Sequence, residues 1–404
     1  MLAPRLRARP GAARSPVGAC GPRQRPCAPG SARRRRGGAP AAAGGNGGER
    51  APMKAVLELL CDRQDLTETQ AEDAMVSIMT AEPFSPEQAA AFLVLLRAKG
   101  ETPAEVAGLA RAMMAEVLPV SISGDVVDIV GTGGDGIGSV NISTGACVVA
   151  AAAGARVAKH GGRSVSSLCG SADVVEALGV ALDLGPAGVA RCVEEAGLGF
   201  MLAPRYHPGM ARLRPVRGAL KVRTVANMLG PLLNPARAGC ALVGVFSPDV
   251  SELMADSLLR LGVTKALVVH SCGLDELTPM GPADVVEATA GHPLKRYSLD
   301  PRDVGIPRCD VADLAGGDAP LNARILSDVF GGARGAVADA LNLNAGYALA
   351  AAGLAASPVE GVAMAQEAQR AGRAGDVLRN WVRVSNEAAA QEAAAAAPAT
   401  TAAA

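Results

Sequence analysis

The sequence has no Cys-x-x-Cys pair, no run of about 18 uninterrupted apolar residues, and no aspartate or glutamate from Met1 to Gly48. Each absence excludes something. The nine cysteines (Cys20, Cys27, Cys61, Cys147, Cys169, Cys192, Cys240, Cys272 and Cys309) stand singly and the four histidines are dispersed, so no zinc site has ligand spacing. Beyond the first two, the cysteines read as reduced packing thiols of a reducing compartment. The missing apolar run excludes a membrane-spanning helix, so no membrane partner is expected. The acid-free stretch carries Arg5, Arg7, Arg9, Arg14, Arg23, Arg25 and the run Arg33-Arg34-Arg35-Arg36 among Ala, Pro and Gly. That is the composition of an organellar transit peptide, without the apolar segment of a secretory signal. A basic disordered arm is the alternative. The whole chain has 39 basic and 39 acidic residues, so the part beyond this leader is net acidic and nucleic acid is not an expected partner.

What is present is a soluble, globular composition: 404 residues, 49% hydrophobic and 19% charged, enough for two or three domains. The expected organisation is a disordered transit peptide over 1–50, a helical domain over 51–120 completed by helices near 205–230, an α/β domain over 121–385, and an Ala-rich tail over 386–404. Three helix starts are written in the second segment. Thr67, Ser85 and Thr102 each precede Gln or Glu at the third helical position, and Pro86 and Pro103 take the first. Residues 89–96 (AAAFLVLL) are apolar nearly all round, which suits either a central core helix or a subunit interface. From Asp125 the pattern alternates: short apolar runs at 126–130, 155–159, 241–245 and 266–270 lie between helical segments, predicting a mainly parallel sheet covered by helices.

The chemistry is expected at the carboxyl ends of those strands. Val126-Val127-Asp128-Ile129-Val130 runs into Gly131-Thr132-Gly133-Gly134-Asp135-Gly136, a loop whose N–H groups can approach an anion closely. It also reads G-x-G-x-x-G, but a dinucleotide site wants an acid after the next strand. Here that strand ends in Lys159-His160-Gly161-Gly162-Arg163, which suits phosphates. Asn141-Ile142-Ser143-Thr144 and Ser164, Ser166 and Ser167 add two groups of short donors. Asp275-Glu276, past the strand at 266–270, can hold magnesium together with phosphate oxygens. Arg205, Arg214, Arg217 and Arg223 include candidates for gripping a carboxylate, and spacing alone does not choose among them.

These motifs together resemble one family. Residues 128–135 (DIVGTGGD), 141–144 (NIST), 159–167 (KHGGRSVSS), 170–173 (GSAD), 176–179 (EALG), Tyr206-His207-Pro208, 229–235 (LGPLLNP), 270–276 (HSCGLDE) and 91–101 (AFLVLLRAKGE) are similar, in order, to anthranilate phosphoribosyltransferase. Ser271-Cys272-Gly273 and 305–309 (GIPRC) resemble plant and algal members, which implies the plastid stroma, with the mitochondrion as second choice. The resemblance implies a small helical domain plus a larger α/β domain of the nucleoside phosphorylase/phosphoribosyltransferase type, a homodimer through the helical domain, Mg2+, and transfer of phosphoribose from phosphoribosyl pyrophosphate to anthranilate in tryptophan biosynthesis. It implies that Gly131, Gly134, Asp135, Ser139, Asn141, Ile142, Ser143, Thr144, Lys159, His160, Gly161, Gly162, Arg163, Ser164, Val165, Ser166, Ser167 and Ser171 bind substrate. Ser143, Asp275 and Glu276 would hold metal. Arg217 would grip the anthranilate carboxylate, with Lys159 and His160 beside it at the catalytic centre. A nucleoside phosphorylase and a non-catalytic relative that binds nucleic acid or a partner protein are the rival readings; the first has little use for a carboxylate pair, the second none. Two positions depart from the family: Gly162 stands where Asn is usual and Ala226 where Phe is usual, both on the acceptor side.

Overall fold

The helical segment forms as its caps dictate. In the computed structural model, which describes residues 51–133, 136–164 and 168–396, helices α1 (Met53–Cys61), α2 (Glu68–Thr80), α3 (Pro86–Lys99) and α4 (Pro103–Ala115) follow one another. The Oγ1 atoms of Thr67 and Thr102 accept from the main chain of Gln70 and Glu105, whose side chains reach back to close the capping boxes; Ser85 caps α3 through the N–H of Gln88. Glu105 does more than cap. Its fully buried carboxylate accepts from Leu66 N at 2.8 Å, Thr102 N at 2.8 Å and Lys99 Nζ at 2.9 Å, so it ties α4, the end of α3 and the loop before α2 together.

Strand and helix then alternate: β1 (Val127–Gly131), α5 (Ile142–Ala152), β2 (Val157–Gly161), α6 (Ser171–Ala177), α7 (Pro186–Ala196), β3 (Leu198–Leu202), α8 (Ala203–Tyr206), α9 (Leu213–Leu220), β4 (Cys240–Gly244), α10 (Ser251–Arg260) and β5 (Lys265–Ser271). An antiparallel pair, β6 (Ala283–Thr289) and β7 (Lys295–Leu299), precedes α11 (Ala319–Phe330), α12 (Ala336–Ala351), α13 (Pro358–Arg370) and α14 (Arg373–Ala396). The sheet order is β3-β2-β1-β4-β5-β6-β7, parallel from β3 to β5. The expected α/β class with a small helical lobe and a mainly parallel sheet is therefore the fold. One apolar core, with Ile129, Val157 and Leu341, fills one face of the sheet; a second joins Phe92 and Leu96 of α3 to Leu213, Val216, Val243 and Val268. The α9 segment thus shares the helical lobe's core.

The Ala-rich end, which suits either a frayed helix or a tail, is helical over 386–396 as the continuation of α14, with Ala388 buried in the core; residues 397–404, like the leader, lie outside the described residues. Among the described residues every cysteine is free, and no helix is long and apolar enough to cross a membrane.

Candidate active site

The parallel strands end together, and the glycines there exist because other chain segments pack directly on them. A Cβ on Gly131 or Gly244, paired neighbours at the ends of β1 and β4, would collide with Asp275, on the carboxylate at the first and on the main chain at the second. A Cβ on Gly161 would strike Ser171 Oγ and the Phe200 ring. Glycine thus lets the acidic loop lie across the strand ends. Gly133, in a left-handed conformation, turns its N–H onto Asp275 Oδ2 at 2.5 Å.

A cavity of about 200 Å³ opens there, lined by Gly131, Thr132, Ser143, Lys159, His160, Gly161, Gly162, Ser171, Ala203, Gly230 and Pro231, among others. A larger cavity of about 540 Å³ lies at the opposite, amino ends of β1 and β4, lined by Arg111, Asp128 and Arg237 with apolar neighbours. Only the smaller one sits where βα loops converge. On one side of it the buried Lys159 donates from Nζ to Ile129 O at 2.7 Å and lies 3.5 Å from Ser143 Oγ. Ser143 N, at the start of α5, donates to Glu276 Oε1 at 3.1 Å. Burial and the adjacent Asp275 charge push the Glu276 carboxyl up to about 8, although Lys159 and Ser143 pull the other way. Two neighbouring carboxyl groups that resist ionising together without a cation, beside a serine hydroxyl, form an all-oxygen donor set that suits magnesium.

His160 also lines the cavity, and His207 packs against it with ring centroids 5.0 Å apart. His160 Nδ1 lies 3.2 Å from Gly230 O and His207 Nε2 lies 2.7 Å from Leu233 O. A carbonyl only accepts, so each of these nitrogens bears the proton. The remaining lone pairs, on His160 Nε2 and His207 Nδ1, are buried with no partner among the described residues. Burial, with His207 adding to it, lowers the His160 imidazole to about 3. It is therefore a neutral hydrogen-bond acceptor and a weak base.

The structure does not gather every expected residue at this cavity. Ile142 and Thr144 are core side chains, leaving their main-chain N–H groups in the first turn of α5. Asn141 spends its amide on the fold: it donates to Cys169 O at 3.2 Å and accepts from Asn322 at 2.9 Å. Ser139 forms a bridge to Ala315. Arg163, an expected phosphate ligand, has an exposed side chain that pairs with Glu176 at 2.8 Å and Asp173 at 3.0 Å, the acids of α6 beside it. Ser164 N is taken by Asp173. Gly134, Asp135, Val165, Ser166 and Ser167 lie outside the described residues.

The four arginines now separate. Arg205 pairs with Asp183, Arg214 is exposed, and Arg223 stacks on Phe246 with its guanidinium carbon 4.4 Å from the ring centroid. Arg217 is half-buried in α9, pairs with no described residue, and has its pKa lowered by burial alone. It does not line the cavity. Several lining positions carried no assigned role in the sequence: Thr132, Ala203, Gly230 and Pro231, with His207 behind His160. The signal for three of them was the Tyr206-His207-Pro208 and LGPLLNP motifs.

The comparisons agree with this geometry. The helical bundle domain of the glycosyl transferase family matches residues 54–117, and that family's a/b domain matches residues 123–375. Anthranilate phosphoribosyltransferase of Roseiflexus castenholzii is 49% identical over 324 residues, covering 80% of this chain and 95% of that protein. The Moorella thermoacetica enzyme of the same name is 46% identical over 332 residues, 82% of this chain and 97% of its own. Among solved structures, the anthranilate phosphoribosyltransferase of Thermus thermophilus superimposes with a TM-score of 0.77 at 44% identity, covering 82% of this chain and 99% of that one. The Saccharomyces cerevisiae enzyme, solved in complex with PRPP and Mg, gives a TM-score of 0.76 at 26% identity over 83% of this chain and 98% of that one. The chain therefore belongs to the anthranilate phosphoribosyltransferase family.

Proposed function

We propose that this protein transfers phosphoribose from phosphoribosyl pyrophosphate to the amine of anthranilate, releasing pyrophosphate, in tryptophan biosynthesis. The observation that carries the reading is a cavity lined by Lys159, by Ser143 at the start of α5 and by His160, with the Glu276 carboxylate hydrogen-bonded to Ser143 N and His207 packed against His160. As the bond from the anomeric carbon to pyrophosphate breaks and the carbon–nitrogen bond forms, negative charge grows on the leaving group. Lys159 and the first turn of α5 are placed to oppose it. Magnesium, held by Ser143, Asp275 and Glu276, would supply further positive charge to the pyrophosphate oxygens when bound. An aryl amine is neutral at pH 7 and needs no strong base; it does need its N–H groups oriented. His160 Nε2, with His207 Nδ1 behind it, fits that task, and an imidazole held at about 3 accepts the hydrogen bond without trapping the proton.

The test is loss of anthranilate fluorescence on mixing the full chain with phosphoribosyl pyrophosphate. Turnover should require magnesium and stop with a chelator. Turnover indifferent to chelation sinks the metal assignment, and none at all with anthranilate sinks the acceptor. The same assay reads Gly162→Asn. Among the described residues a Cβ there meets only Ala203 Cβ at 3.9 Å, and the backbone is not left-handed, so the variant should fold as the parent does. One added amide hydrogen bond should lower the Michaelis constant for anthranilate up to about tenfold. An unchanged constant would mean that the acceptor does not reach Gly162.

Two further readings belong to this proposal. A homodimer through the helical lobe is supported by the outward side of α3, where Val94 is 39% exposed and Ala91 and Leu95 are half-buried. Import into a plastid is supported by the acid-free, arginine-rich composition of residues 1–48, which precede the matched domains.

A further inference from the structure

The matched a/b domain ends at residue 375, yet α14 runs on to Ala396. That extension does specific work near its end. Both oxygens of Glu392 accept from Gly185 N, at 3.0 and 2.8 Å, at the N-cap of α7. Gly188 has no Cβ to hold the carboxylate off; one there would stand 2.6 Å from it. Glu392 also lies 3.8 Å from Arg205 Nη2, and Arg205 pairs with Asp183. Next along the chain, Tyr206 O–H donates to Leu184 O at 2.9 Å. One carboxylate thus fastens 183–185 to α8, and α8 is the element that carries Ala203 into the cavity wall and leads directly into His207.

We infer that Glu392 is a positioning residue for the acceptor half of the site: through Gly185 and Arg205 it holds α8 in register, and with it Ala203 and His207. The inference rests on the proposed reaction. The phosphate half is built on β1, β2 and the start of α5, none of which Glu392 touches among its described partners. Its loss should therefore be felt by one substrate. A cap of α7 alone would cost stability and leave both substrates untouched, which makes the two roles separable.

The experiment uses the full chain with Glu392→Ala and Glu392→Gln, the second keeping an acceptor for Gly185 N–H while removing the charge facing Arg205. Steady-state constants for both substrates, melting temperature, and anthranilate binding by its own fluorescence are measured. In Glu392→Ala the Michaelis constant for anthranilate should rise about three- to tenfold, with weaker binding to match, while that for phosphoribosyl pyrophosphate stays within about twofold; Glu392→Gln should fall between. A lower melting temperature with both constants unchanged overturns the inference, as does an equal rise in both. Absence of anthranilate turnover by the parent chain would instead bring down the reaction on which it rests.

Discussion

Glu276→Ala should lower kcat by about a thousandfold or more, leaving no practical turnover. Three features of the site make this the largest single effect. The carboxylate is fixed by Ser143 N at 3.1 Å, so it cannot swing away from the helix start it faces. Burial and Asp275 already hold its carboxyl near 8, so the pair has more negative charge than the protein alone accommodates, and a divalent cation is the natural complement. Its loss also removes an oxygen donor that Lys159, a donor of protons only, cannot replace, although its Nζ lies 3.5 Å from Ser143 Oγ. The isosteric Glu276→Gln keeps the acceptor for Ser143 N and loses only the charge. It should be nearly as inactive while melting within a few degrees of the parent. Steady-state rates across a magnesium titration check this: a near-normal rate in either variant, with the magnesium requirement unshifted, would falsify the assignment of Glu276 as a metal ligand.

Much of this was legible along the chain because its signals are local. The caps at Thr67, Ser85 and Thr102 involve atoms three residues apart, and each formed. The four apolar runs became β1, β2, β4 and β5 with ends shifted by one or two residues. The other strands were not legible. β3 follows α7 after a single glycine, Gly197, and passes straight into α8, so no turn residues set it off. β6 and β7 mix polar and apolar side chains without a regular period, and β7 at the sheet edge is largely exposed, which dilutes the apolar signal. In the site, residue types and strand ends indicated the anion loop and the acidic pair. What sequence could not show is competition among partners. Arg163 is surrounded by Asp173 and Glu176, Asn141 is used up by Cys169 and Asn322, and Ile142 turns into the core. Contacts across large separations, such as Asp275 lying over Gly131 and Gly244 or Glu392 reaching Gly185, leave no periodic trace.

Arg217→Ala should raise the Michaelis constant for anthranilate by roughly thirtyfold, with kcat much less affected. A half-buried guanidinium is ordinarily matched by an acid, as Arg205 is by Asp183 and Arg212 by Glu82. Arg217 has no such partner among the described residues, and burial alone acts on its pKa. A cation left partly desolvated and unpaired is poised for an anion that arrives from outside the chain. Its helix, α9, belongs to the segment that begins with α8 and His207, on the acceptor side, whereas the phosphates have Lys159 and the α5 start. The carboxylate of anthranilate is the anion that this placement selects. Arg217→Lys retains the charge but not the planar fork, so it should recover only part of the loss. Benzoate-type analogues lacking the amine should lose affinity for the alanine variant in the same proportion, since the lost contact is to the carboxylate. If Arg217→Ala instead raised the constants for anthranilate and phosphoribosyl pyrophosphate equally, the anion it awaits would be a phosphate.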